Sequence, residues 1–442
     1  MGWRALYVVP AALLIAVSCA GPKSTNDQAR IYDGFGGYAR TVSTSSPEAQ
    51  RWFDQGIQLL YGFNHDEAIR SFQEAAKIDP DCVMAWWGVA YASGFHINNP
   101  EMTEEQSKQA WDAVQEALGR IVKGSPVEQA LVRALAKRYA WPVPEDRKPL
   151  DHAYADAMES AWKEWPQDAD IGALFAESLM DLQPWDLWTH EGEAKGRTLE
   201  IVAALEAAIE LNPQHPGANH FYIHAVEASR SPERAIAAAD RLRALVPGSG
   251  HLVHMPSHIY TRVGRYPDAA DANERAIAAD TAYFALAPEP SFYSLYFLHN
   301  VHFLAYAAMM EGRYETAMAA ARQIEEQVPP AFLRDFIHYA DGLMPTAIHV
   351  QVRFGRWEDI LEEPDYPEFR VLSRALRRYA RGVALAALDR TVEARAELAA
   401  FDVLSAQVPE KWMVGNNPTT EVLPLARDMM EGEILFRERR FD

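Results

Sequence analysis

Along most of the chain, apolar residues return every three or four positions while polar residues fill the opposite side, which is the period of amphipathic helices. Alanine is abundant, short turns such as Gly264-Arg265-Tyr266-Pro267 separate the amphipathic segments, and no run alternates as a half-buried strand would. The pattern predicts an all-α chain. Two stretches depart from it. Residues 1–19 place Arg4 before an apolar stretch from Ala5 to Val17, too short and too soon followed by polar sequence for a membrane span. From Ala20 to about Ser46 the composition turns to Gly, Ser, Thr, Asn and Asp without helical period, which predicts a flexible tether over 20–46.

The helical part repeats. Gly56, Ala68, Phe72, Ala75 and Pro80 carry a spacing that resembles the tetratricopeptide repeat, a 34-residue helix-turn-helix with small residues where its helices cross. With Gly56 as position 8 and Pro80 as position 32, the frame recurs at Pro213 and Pro247, and Ala235, Ala269, Ala317 and Ala394 fall at position 20. One such pair cannot cover its own apolar face, so neighbours must stack. The resemblance therefore implies a tetratricopeptide-repeat solenoid, a right-handed superhelix of about eight or nine units over residues 47–440. Insertions are expected near residues 140–150 and 183–197, with a polar capping helix at the C-terminal end. In the repeat family, positions 2, 5, 9 and 12 of each first helix line a concave wall, where they share one helix face.

Histidines occupy that face. His220, His224 and Glu227 stand at positions 5, 9 and 12 of one unit; His251, His254 and His258 stand at 2, 5 and 9 of the next. His299 and His302 follow at 2 and 5, with Tyr306 at 9, and His349 comes at 9 of a fourth unit. Eight of the chain's 14 histidines thus fall at three positions of four consecutive units between residues 216 and 352, where uniform scatter would place fewer than one. Pairs at i, i+4 aim both imidazoles the same way, and equivalent pairs on neighbouring helices can converge on one ion.

The candidate metal ligands are His220, His224, His251, His254, His258, His299 and His302, with Glu177, Tyr306 and His349 as further ligand or pocket residues. A nitrogen and oxygen set suits Zn, Fe, Mn or Cu(II). The excess of ligands means either two metals or some orienting histidines. An open coordination position would let the metal activate water or oxygen, with Glu227 as the base. The alternatives are a polar pocket for an organic ligand, or an adaptor whose groove takes a peptide or protein partner. His65, His96, His152, His190, His215 and His338 lie outside the pattern and read as structural. Pro184-Trp185-Asp186-Leu187-Trp188 reads as a packed loop or as an aromatic lid.

Charge and cysteines narrow the setting. With 42 Lys+Arg against 62 Asp+Glu, the net charge of −20 argues against nucleic acid as a partner. Ala16-Val17-Ser18-Cys19 resembles the end of a bacterial lipoprotein signal peptide, which implies cleavage before Cys19 and a lipid on its thiol; a plain secretory signal is the alternative. Ala20 lacks the aspartate of an inner-membrane retention signal, so the implied place is the outer membrane, facing the periplasm. Cys82 is then left without an intrachain partner and reads as a small packing residue. The stretches around His220-Phe221-Tyr222-Ile223-His224, His251-Leu252-Val253-His254 and His299-Asn300-Val301-His302 are similar to those of a bacterial family of secreted tetratricopeptide-repeat proteins, over residues 36–360. That family has no settled activity, so the resemblance implies a shared site and no reaction.

Overall fold

A computed structural model describes residues 29–287, 292–415 and 417–441; the segment read as a signal peptide, with Cys19, lies outside them. Among the described residues the chain is a series of helical hairpins, with one two-stranded ribbon joining Met413–Val414 to Asn417–Pro418. Consecutive helices pack on one another in chain order, as stacked hairpins do. The tetratricopeptide-like register is visible in the packing. The position-20 alanines Ala68, Ala235, Ala269, Ala317 and Ala394 are all fully buried. Phe72 lies between Gly56 and Gly88, and a Cβ at either glycine would come within 2.5 Å of its ring. Both expected insertions are non-helical loops, one after the helix Pro126–Leu135 and one between Ala169–Met180 and Thr198–Leu211. The C-terminal helix is Thr419–Arg437. No helix among the described residues is long and apolar enough to cross a membrane.

One continuous array was expected; the contacts divide the chain into two compact units. The first runs to residue 265 and includes 275–297, and the second comprises 266–274 and 298 onward. In the second, Leu376, Tyr379, Phe401 and Met430 form the centre of an apolar core.

The first unit closes on itself. Besides its chain neighbours, the helix Pro47–Tyr61 packs on Pro216–Val226, some 160 residues later. Gly217 permits this, because a Cβ there would stand 2.4 Å from the Tyr61 ring. Asp170 ties the same region together: it accepts from Tyr38 Oη (2.6 Å), Tyr61 Oη (2.5 Å) and Arg40 Nη1 (2.6 Å), and His215 Nε2 lies 3.2 Å away. Burial opposes its ionisation, yet Arg40, His215 and Tyr38 together hold its carboxyl well below the usual range.

Those bonds correct the expectation of a free tether. The described part of it, residues 29–46, is docked along the first unit. Arg40 pairs with Asp168 as well as Asp170, Tyr32 N–H donates to Gln55 Oε1 (2.7 Å), and Ser43 N–H donates to Glu128 Oε1 (2.7 Å). The polar composition that suggested a mobile segment instead supplies donors for buried acceptors.

Candidate metal centre

The histidine face is covered rather than open. His220, His224, His251 and His254 are 0%, 4%, 2% and 0% exposed, too deep to line an open groove. His220 and His224 project from the helix Pro216–Val226, with Glu227 at its C-cap. His215 starts that helix by accepting from Ala218 N–H (3.0 Å), which places its own proton on Nε2, toward Asp170. The next three histidines were expected on one helix. Pro256, having no N–H to give, divides it into Gly250–His254 and Pro256–Arg262. The break does not separate the imidazoles, and His254 Nε2 stands 2.9 Å from His258 Nε2.

The Nδ1 atoms fix the chemistry. His220 Nδ1 meets the Tyr61 carbonyl oxygen at 2.7 Å. A carbonyl only accepts, so Nδ1 carries the proton and Nε2 the lone pair of the neutral ring. His224 Nδ1 meets Glu227 Oε1 at 2.9 Å, and His258 Nδ1 meets Glu227 Oε2 at 2.6 Å. Burial, reinforced for His220 by neighbouring histidines, pushes the pKa of His220 well below its ordinary value and also lowers that of His224, so both are neutral near pH 7. Glu227 behaves oppositely: burial opposes its charge, but His258 and His224 hold the carboxyl well below the usual range.

His220 and His224 therefore present Nε2 lone pairs with Nδ1 anchored by oxygen, the arrangement in which a second partner orients a metal ligand, and His258 is anchored through Nδ1 in the same way. His251 Nε2 lies 3.2 Å from His220 Nε2. Within the first unit, two overlapping sets bring candidate donor atoms within 4.8 Å of one another, His220 with His224 and His251, and His224 with Glu227 and His258. Nitrogens about 3 Å apart suit two ligands on one ion at the ~2.0–2.1 Å of metal–imidazole bonds. His224 belongs to both sets, and its buried Nε2 has no hydrogen-bond partner among the described residues. These residues thus fit a transition-metal ion.

Glu177, Glu227 and Tyr306 are placed differently from the expectation. Glu177 accepts from Tyr91 Oη and sits beside the buried Arg138–Asp181 ion pair (2.6 Å), whose guanidinium lies 4.3 Å from the Phe95 ring centre. It therefore belongs to that cluster and not to the histidine sets. Glu227 was expected as a base; with both oxygens engaged and its charge strongly favoured, it is placed to orient imidazoles. His299 and His302, on the helix Ser294–Glu311, and His349, on Thr346–Arg353, lie in the second unit. There, burial and His302 lower the pKa of His349 to about 4. Tyr306 is 40% exposed. Cys82 is buried, which pushes its thiol up to about 11 and fits a packing role.

Sequence reasoning missed Phe63 and His96. The Phe63 ring centre stands 4.3 Å from His96, 4.6 Å from His220 and 5.5 Å from His251. His96 thereby joins the aromatic surroundings of the site. The left-handed backbone at Phe63 was beyond pattern reading, but an aromatic residue directly after Gly62 in a helical turn was the available signal. The aromatic loop behaves partly as a cover: Trp185 meets His224 edge-on at 4.9 Å, and Trp188 Nε1–H donates to the Ala225 carbonyl (2.8 Å).

No protein-family model matches the chain, and no curated protein is similar to it in sequence. Among solved structures it is similar to "Crystal Structure of the Yeast Tom70", at 11% identity over 90% of this chain and 91% of that one, with a TM-score of 0.32. At that score the likeness carries no argument about function.

Proposed function

We propose that the first unit binds a transition metal through His224 together with His220 and His251, with His258 and Glu227 forming an adjoining set, and that the protein is exported and lipid-anchored at Cys19 on the outer membrane, facing the periplasm. The observation that carries the metal reading is His224: its Nδ1 is pinned to Glu227, and its lone-pair nitrogen is buried, unpartnered among the described residues and grouped with other imidazole nitrogens. Leaving such an acceptor unsatisfied is costly, and a metal ion would satisfy it. The nitrogen and oxygen donors favour Zn, Fe, Mn or Cu(II). Three protein ligands would leave a coordination position for a further molecule, the requirement for metal-dependent catalysis. The anchor rests on the sequence at Ala16-Val17-Ser18-Cys19 and its resemblance to lipoprotein signals.

The test is elemental analysis of protein from Ala20 onward, prepared without a histidine tag. One or two equivalents of a single metal are expected in the parent protein and none in His224→Ala. Absence of metal after reconstitution with Zn, Cu, Fe and Mn would overturn the reading. An adaptor role would then become the one to pursue, on a surface other than the covered histidines. Labelling with a fatty-acid analogue, lost in Cys19→Ser, tests the anchor.

A further inference from the structure

Five hairpin turns among the described residues close in the same way, as does the end of the last helix, where Arg439 has φ 56° and Arg440 N–H donates to the Leu435 carbonyl. In each, one residue adopts a left-handed backbone: Phe63 (φ 56°), Gly264 (79°), Gly312 (80°), Gly355 (65°) and Asp389 (59°). The next N–H then donates to the carbonyl five residues back, Asn64 to Leu59, Arg265 to Tyr260, Arg313 to Ala308, Arg356 to Gln351 and Arg390 to Leu385. This is the Schellman ending of a helix, whose left-handed position suits glycine because any Cβ crowds the following carbonyl. Three turns obey that preference and a fourth uses Asp, whose short polar side chain tolerates the conformation. The turn beside the histidines uses phenylalanine.

The same exception occurs a second time at the same place. Asp186 N–H donates to the Gln183 carbonyl across Pro184 and Trp185, and Trp185 has φ 62°. Proline second and a positive φ third is the pattern of a type II turn, where glycine or asparagine is expected third. Among the described residues, Phe63 and Trp185 are the two aromatic ones with positive φ, and both have a ring centre within 6.4 Å of that of His224. Phe63 stacks nearly parallel to its imidazole (6.4 Å, 10°), while Trp185 meets it edge-on (4.9 Å, 89°). The indole is itself held, since its Nε1–H donates to the Ile97 carbonyl (2.9 Å).

We propose that Phe63 and Trp185 are positioning residues for His224: two aromatic walls, kept in an unfavourable backbone conformation, that stop the imidazole from turning and keep water from its Nε2. Strain of this kind persists only where the surroundings over-determine it, and it gathers at functional sites. A single hydrogen bond from Nδ1 to Glu227 leaves the ring free to swing about that contact. A parallel face on one side and an edge on another remove that freedom. The apolar walls also exclude solvent, which sets the coordination number of an ion bound there. The purpose of the walls rests on the proposed metal reading, but their hold on the ring does not.

The test therefore has a metal-free part and a metal part. In metal-free protein at pH 8, with 15N-labelled histidine, the two-bond 1H–15N spectrum of His224, assigned with His224→Ala, should show one tautomer protonated at Nδ1. In Phe63→Gly and in Trp185→Gly, both of which suit the left-handed backbone, the two ring nitrogens should move toward averaged shifts. Cobalt(II) should bind at least tenfold more weakly, with lower visible absorption per bound ion as water enters its coordination shell. Phe63→Tyr, which restores a ring, should recover both signals, and Asp389→Gly should change neither. If Phe63→Gly fails to fold, Phe63→Asn keeps the turn with a short side chain. An unchanged His224 tautomer in both glycine variants, with cobalt affinity within twofold of the parent, would overturn the proposal. If the parent protein binds no cobalt, the metal reading fails by itself, and the metal-free spectra still decide whether the walls position His224.

Discussion

The first and second units place histidines at the same repeat positions and treat them differently. In the first, His220, His224 and His258 each have Nδ1 against an oxygen, from the Tyr61 carbonyl or from Glu227. In the second, neither the His302 nor the His349 imidazole makes a hydrogen bond among the described residues, and burial lowers the pKa of both. Repeat register brings imidazoles together in either case. What makes a set suited to metal is an acceptor supplied by another part of the chain, which fixes the tautomer and leaves the lone pair on the shared side.

The sharpest way to break this comparison is His224→Ala, expected to abolish stoichiometric metal in equilibrium dialysis, because it removes the residue common to both donor sets. Glu227→Gln keeps the shape but loses a charged acceptor, and should weaken metal binding by roughly 10–100-fold. His302→Ala with His349→Ala should leave the affinity unchanged within error. An equal loss in that pair would erase the distinction between the units.

Acid sharpens the contrast from the second unit's side. The folded state depresses the pKa of His349 from 6.5 to about 4, so the unfolded chain binds more protons between those values. Its neutral form is thus accommodated in full above about pH 6.5, and stability is lost as pH falls toward 4, by on the order of 3 kcal/mol. His349→Phe should flatten that part of the pH dependence in urea unfolding of metal-free protein; an unaltered slope would show that His349 is not held neutral. The smallest effect belongs to the turns. Asp389→Gly should raise stability by at most about 1 kcal/mol, because it removes a Cβ from a left-handed position.

The helical register was legible in the sequence because it is local chemistry repeated. Ala68, Ala235, Ala269, Ala317 and Ala394 mark helix crossings where nothing larger fits, and all are buried. The choice of His220, His224, His251, His254, His258 and Glu227 came from the same periodicity, and these residues do meet in the first unit. The rest depends on contacts between distant parts of the chain. Tyr61 supplies its carbonyl to His220 across 159 residues, and no spacing rule announces that the first hairpin packs on the helix Pro216–Val226 that carries it. Glu177 shared the histidines' register, yet Arg138, 39 residues earlier, sets its surroundings instead. The tether was misjudged because a polar segment looks alike whether its donors face water or buried carboxylates.

Docking of that segment also sets a distance. With lipid on Cys19, as proposed, residues 20–31 alone lie between the bilayer surface and Tyr32, whose N–H is already bonded to Gln55. At about 3.3–3.6 Å per residue, such a leash reaches at most roughly 45 Å. The folded body would then patrol a shallow shell next to the membrane, and any molecule it meets must come to that layer.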